Sequence, residues 1–435
     1  MTGALEATGV SAERNSESDP AWLREAREQA GRRFAALGYP TTRNENWKYT
    51  NVAAIARTQF QAGPYRFDDA IAELVESVAL AGAISLVFVN GQYCRELSNH
   101  QVLRDGLKVD SLRTVLKRRG DQAESYFAAD RREADAAFVA LNTASFEDGA
   151  FVEVADGLVL DTPIHLVFVS ASGERPTASH PRNLILAGAL SQASVIETYA
   201  GFEDTVYFTN TVTDVIAGEN STIDYLKIQK ESLHAFHVAS LRFEQSRQSN
   251  VACRSFSFGG VLARNDINLT LTEGAEGTLN GLYLASGKQH VDNHTSIDHA
   301  KPHGASRELY KGILDGHASA VFNGKVIVRK DAQKTDAKQT NRNLLLSEEA
   351  VINTKPELQI HADDVRCTHG ATIGQLDGNA LFYLRSRGIG QKEARQILIR
   401  AFADEIIGGI KHPDLRDRLG SELDARLKAG GGEDS

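Results

Sequence analysis

From Phe151 to Val365 the chain reads as short runs of Val, Ile, Leu, Thr and Phe that alternate with polar residues and stop at Gly, Asn and Ser turns, the pattern of strands buried on one face. Helix signals nearly vanish over this span. Four segments share one order of parts: LAGALSQASVIE, LTEGAEGTLNG, ILDGHASAVFNG and LLLSEEAVINTK each place an apolar run, a tight polar turn, a small residue and a second apolar run. These turns recur roughly every 30 residues, and a strand-turn-strand unit that cannot bury its own face predicts coils stacked in a solenoid or β-helix. A jelly-roll sandwich meets the same pattern and stays open at this level.

On either side the period becomes helical. Over Pro20 to Leu37, Trp22, Leu23, Ala26, Ala30 and Phe34 fall on one face, with Asp19 as the expected N-cap, Pro20 in the first turn and Gly38 after the last. A strand is expected in AISLVFVNG, charged helical pieces near Ser111 to Arg119 and Gln122 to Leu141, and a change of organisation near Glu147 to Gly149. After Asp377, a candidate cap, DGNALFYLRSRG carries an apolar stripe and stops at Gly388. QKEARQILIRAFADEII reads as a second helix, and a third follows Pro413, before a tail, KAGGGEDS, expected to be disordered. The reading is therefore mainly β in three regions: a mainly helical region with a disordered leader at 1–150, a β core at 151–365, and a helical region at 366–435.

Composition narrows the function. Forty-eight basic against 57 acidic side chains give a net charge of -9 and a pI of about 5.8, so no basic field exists to hold a phosphate backbone, and nucleic acid is not expected as a partner. The leader MTGALEATGVSAERNSESD has no basic stretch followed by an apolar one, and the run around Leu80 to Val89 is too short for a bilayer; the expectation is a cytoplasmic chain with no membrane partner. The three cysteines, Cys94, Cys253 and Cys367, are far apart and odd in number, which argues against a disulfide framework and a self-contained zinc site. No GxxxxGK[ST] loop is present, and Gly287-Lys288 and Gly324-Lys325 lack its spacing and hydroxyl, so ATP hydrolysis by that route is not expected. Nor does a GxGxxG open a helix after a strand.

Two constellations carry candidate chemistry. In KQHVDNHTSIDHAKPHG, strand parity puts His290, Asp292 and His294 on one face, a set that suits zinc or iron(II), until the parity breaks at His299. The competing reading is a hydrogen-bonded row between coils; the metal reading corresponds to a stand-alone β-solenoid metalloenzyme. In HADDVRCTHGATIGQLD, an extended chain places His361, Asp363, Cys367 and His369 on one face, with Asp364 and Arg366 opposite and able to pair. A direct Cys-His hydrogen bond is out of reach without a bend, because alternate strand residues lie about 7 Å apart. Thiolate and imidazole suit iron or an iron-sulfur cluster, yet a cluster takes four ligands, and a single cysteine here requires others from a second chain. Cys94 and Cys253 sit in apolar surroundings and read as inert core.

RNENWKYTN at Arg43 to Asn51, HVDNHTSIDHAKPHGASRELYKGIL at His290 to Leu314, AQKTDAKQTNRNLLLS at Ala332 to Ser347, and ADDVRCTHGATIGQLD followed by LFYLRSRGI closely resemble the SufB/SufD family of iron-sulfur cluster assembly proteins. The WKYT element and the CTHGATIGQLD form look like its SufD branch rather than its SufB branch, which carries CxHEA there. The resemblance implies a right-handed parallel β-helix core flanked by helical N-terminal and C-terminal regions. It also implies a non-enzymatic subunit that pairs with SufB through the β-helices and binds the ATPase SufC through the C-terminal helices, with a homodimer available when SufB is absent. By motif match, Cys367 and His369 would face SufB near a transient, shared cluster or iron ion, with His369 the stronger ligand or iron-positioning group. SufB would supply the main cysteine, and no cofactor would be held tightly by the isolated chain. The resemblance also makes the histidines around His299 part of the family core.

Overall fold

The computed structural model describes residues 19–100, 104–127, 137–171, 173 and 175–430. Its body is a β-solenoid of about 7 turns. Each coil gives one strand to each of two sheets, so strands alternate between an eleven-stranded and a ten-stranded sheet and pair in parallel with the strand one coil away. Leu262, His290, Ser319 and Val351 are successive register partners, 28, 29 and 32 residues apart, which is the recurrence expected from the turns. The jelly-roll alternative fails on this point, because its strands would pair antiparallel.

One corner of the coil repeats with a fixed device. Leu190, Asn220, Gln248, Gly274, His303 and Lys334 all take left-handed φ values between 55° and 64°. Each donates its backbone N–H to a carbonyl at the same corner of the next coil, those of Glu219, Arg247, Glu273, Pro302, Gln333 and Asp364, at 2.7–3.0 Å. The strain of a left-handed non-glycine residue is thus offset by a satisfied donor at every step.

The space between the sheets is filled by one continuous cluster that includes Val195, Tyr225, Phe243, Val251, Leu279, Ile297, Phe322 and Val326. The outer faces are covered from the two ends of the chain. Phe34, Trp47, Phe60, Phe138 and Leu141 pack on Phe208, Phe236, Val238 and Leu262 of the eleven-stranded sheet. Ile399, Ala403, Ile406, Leu415 and Leu419 from the C-terminal helices pack on Ile228, Phe256, Leu282 and Ile313 of the other.

Several sequence expectations need correction. The first helix is Ala21–Leu37 with Pro20 at the N-cap; Asp19 instead accepts from Arg27 Nε at 2.9 Å, because proline occupies the capping geometry. One helix, Leu112–Phe127, replaces the first charged piece and takes in the start of the second, Ala137–Ser145 follows, and residues 128–136 lie outside the described residues, as do the expected leader at 1–18 and the last five residues of the tail. Region 1–150 carries strands beside its helices, including the one expected in AISLVFVNG. Its apolar run Ile84–Val89 joins the ten-stranded sheet parallel to Ile164–Ser170, and Leu107–Ser111 pairs antiparallel with Ala150–Val154. The solenoid also continues past 365: Arg366–Gly374 is a strand in register with Asp336–Leu345, so those nine residues belong with the coils rather than with the helices. Beyond it, Gly378–Ser386 is capped by Asp377, whose carboxylate accepts from the Asn379 and Ala380 amides, and Gly388 ends it with a φ of 88°. Gln391–Ile407 and Pro413–Gly430 follow as read. No helix among the described residues is long and apolar enough to cross a membrane.

Candidate functional site at the open end of the solenoid

The two constellations are separated by which side of the sheet they face. His290, Asp292 and His294 lie on the outer face of the strand His290–His299, where the short turn Glu45–Trp47 and the residues after it press down on them. Thr50 Oγ1 donates to Asp292 Oδ2 at 2.5 Å and lies 2.9 Å from His290 Nε2. Arg264 Nη1 reaches the same carboxylate oxygen at 2.6 Å, His294 Nε2 lies 3.1 Å from Asp292 Oδ1, and His290 Nδ1 meets Ser319 Oγ at 2.7 Å. The Trp47 ring covers the Arg264 guanidinium at 3.7 Å. Burial opposes ionisation of Asp292, but the Arg264 and His294 charges outweigh it and hold the carboxyl well below the usual range. The three residues therefore converge as the sequence predicts, around a guanidinium and a threonine hydroxyl in place of a metal ion. A cleft of about 230 Å³ reaches the rim of this cluster, lined by Lys48, Lys355 and Glu45, the last two paired at 3.0 Å. His299 is buried and bonds Ser306 at 2.9 Å, and His303 is one of the left-handed corners; both serve the coil.

The second constellation divides. His361 to Val365 form the corner before the strand, so His361 and Asp363 do not share a strand face with the residues after it. Asp364 pairs with Lys334, its neighbour one coil back, and not with Arg366. Cys367 and His369 do share a face, and register shows which one. Cys367 is opposite Ala337 and His369 opposite Gln339, both buried between the sheets, so the two side chains stand in line with the interior rows. Their strand is the last of its sheet, as Val351–Ile360 is of the other, and no further coil covers either edge among the described residues. The result is an interior face open at one end, with Cys367 half-buried, His369 exposed, and Ile360 and Ile373 about half exposed on the same inner face. Burial raises the Cys367 thiol, which keeps it protonated near neutral pH.

Sequence reasoning missed what lies behind His369. One interior row runs Val195, Tyr225, Cys253, Leu279, Glu308, Gln339, His369 from coil to coil. Gln339 Nε2 donates to Glu308 Oε2 at 2.7 Å, with both residues buried. Burial pushes the Glu308 carboxyl up to about 7. The available signal was a pair of polar residues in consecutive coils, Glu308 and Gln339, at a position that the preceding coil fills with Leu279. Cys94 and Cys253 are buried, and burial raises both thiols.

Comparison with known proteins covers most of the chain. Residues 168–402 match the family model described as the SUF system FeS cluster assembly, SufBD core domain, and residues 11–166 match that of the SufBD protein N-terminal region. A SufBD family iron-sulfur cluster assembly protein from Synechocystis sp. is 36% identical over 403 residues, covering 90% of this chain and 88% of its own. The iron-sulfur cluster assembly protein SufD of Escherichia coli is 30% identical over 401 residues, 90% of each chain. That of Bacillus subtilis is 28% identical over 422 residues, covering 94% of this chain and 95% of its own.

Proposed function

Because this chain belongs to the SufBD family of the SUF iron-sulfur cluster assembly system, we propose that it is a non-catalytic subunit of the scaffold complex, working in the cytoplasm with SufB and the ATPase SufC. The observation that carries this reading is the open end of the solenoid, where Cys367 and His369 continue interior rows into a face with unpaired strand edges. Such an edge is a ready template for a second β-solenoid. SufB docks there, or a second copy of this chain when SufB is absent. His369, with Cys367 beside it, then positions iron or a nascent cluster as cargo, and SufB supplies the remaining ligands and the principal cysteine. The cluster is shared and transient, which is why a lone cysteine suffices on this side.

The C-terminal helices suit the SufC contact, since Gly378–Ser386 buries none of its residues and leaves Phe382 and Tyr383 exposed. Helices Gln391–Ile407 and Pro413–Gly430 lie directly on the ten-stranded sheet, so a pull on them from SufC would reach the coil that carries His369. Three free cysteines accord with a reducing compartment.

The test is co-expression with SufB and SufC, followed by anaerobic reconstitution and assay of bound iron and sulfide. A three-component complex that takes up a cluster and loses most of it on His369→Ala, with the subunits still together, is the expected result. An unchanged cluster yield in that variant would overturn the role of His369. Failure of the three chains to associate would overturn the scaffold reading itself.

A further inference from the structure

The interior row that ends at His369 changes character two coils before the end. Val195, Tyr225, Cys253 and Leu279 fill the space with largely apolar atoms, whereas Glu308 and Gln339 bring a carboxyl and an amide to positions that are 3% and 1% exposed. Burying such groups is unfavourable unless each finds a partner. Only half the need is met within the chain. Gln339 Nε2 donates to Glu308 Oε2 at 2.7 Å, while Gln339 Oε1 and Glu308 Oε1 have no hydrogen-bond partner among the described residues.

That bond also sets the direction of the amide. In its ionised form Glu308 only accepts, so it then fixes the nitrogen of Gln339 toward the preceding coil and leaves the oxygen unused by that bond. On the other side stands His369, the register partner of Gln339 on the terminal strand, on the same inward face and about 4.8 Å away across the ladder. An imidazole that offers one ring nitrogen to a metal carries its proton on the other, and an acceptor at that N–H selects the tautomer and fixes the ring.

We infer that Gln339, held by Glu308, is the positioning residue for His369: its free amide oxygen accepts the N–H of the ring nitrogen turned away from the cargo. This deepens the reading of His369 as an iron-positioning group and rests on it for its functional meaning. A purely structural Gln339 would be explained by its bond to Glu308, but that bond leaves the oxygen without a role. The row thus acts as a two-residue brace, with the carboxyl orienting the amide and the amide orienting the ring.

The tautomer of His369 tests this in the full-length chain without metal or partner. With histidine labelled in the ring nitrogens, two-bond proton-nitrogen spectra report which nitrogen carries the proton, and the signals lost in His369→Ala identify the residue. One tautomer is expected in the wild type, a mixture in Gln339→Met, and a single tautomer again in Gln339→Glu, which keeps an acceptor. In the cluster-assembly complex, Gln339→Met is expected to lower affinity for Fe²⁺ by about 10- to 100-fold, the range for loss of such a contact. Should an unpaired Glu308 unfold that variant, the double change Glu308→Leu with Gln339→Met removes both polar groups and carries the same readout. Unchanged His369 ring shifts in a folded Gln339→Met variant overturn the inference. If the shifts change as expected but His369→Ala leaves cluster yield intact, the contact stands and the proposed role of His369 falls.

Discussion

Two histidine-bearing surfaces of the same solenoid end up with opposite prospects, and the difference is coverage. His290, Asp292 and His294 offer a denser set of ligand atoms than Cys367 and His369, yet they lie beneath the turn around Trp47, with Arg264 and Thr50 bonded to the central carboxylate. Cys367 and His369 are sparser and stand where the coils stop. A ligand-type side chain that the fold has already neutralised is part of the structure. One left at an uncovered end remains available for chemistry. Ligand density along the sequence is therefore a poorer guide to a site than the place where stacking ends.

That contrast can be broken most forcefully at Asp292. Asp292→Ala removes the buried partner of Arg264 and the acceptor of Thr50, leaving Arg264 only the more exposed carboxylate of Asp266, and a loss of about 3–5 kcal/mol in stability to urea is expected; a loss below about 1 kcal/mol would mean that the cluster is not the anchor described. Trp47→Ala should cost about 3 kcal/mol and raise hydrogen exchange around Thr50 and Asn51 while leaving residues 366–374 unaffected. At the other surface, Glu308→Gln sharpens the comparison through pH. With the folded carboxyl raised to about 7, the wild-type protein binds this proton more tightly folded than unfolded, so the stability it confers is complete below about 4.5 and is lost as pH rises through 7. Relative to wild type, Glu308→Gln should therefore gain roughly 3 kcal/mol between pH 4.5 and 8, and parallel stability curves would refute the assignment. The smallest effect belongs to His369→Ala, expected within about 0.5 kcal/mol of wild type by the same measurement, because the side chain is exposed.

Much of the architecture could be read before any coordinates. The apolar runs and tight turns of the β region announced stacked coils, and the cap at Asp377 and stop at Gly388 marked a helix whose ends match. Strand parity correctly joined Cys367 to His369 and His290 to Asp292 and His294. Parity alone does not say whether a face points into the solenoid or out of it. That depends on pairing with strands some 30 residues away, as Asp364 shows by choosing Lys334 over nearby Arg366. The lid on Asp292 was harder still to foresee, since Thr50 lies 242 residues away in the chain. The pairing of Gln339 with Glu308 needed the register as well, although the intrusion of polar residues into an otherwise apolar row was visible once that register was known.

The left-handed corners carry a consequence for how such a chain can vary. Each corner ties its coil to the next by one amide-to-carbonyl bond, and the last of them, from Lys334 to Asp364, sits two residues before the strand that bears Cys367 and His369. The column works as an indexing edge, handing alignment from coil to coil until it reaches the strand at the end. A residue gained or lost within a strand would leave the hydrophobic filling of its coil out of step and, if passed on through the corner, would turn His369 outward and bring Thr368 or Gly370 to the interior. Length changes should therefore be tolerated in turns that lie outside the column and resisted in every coil between it and the open end.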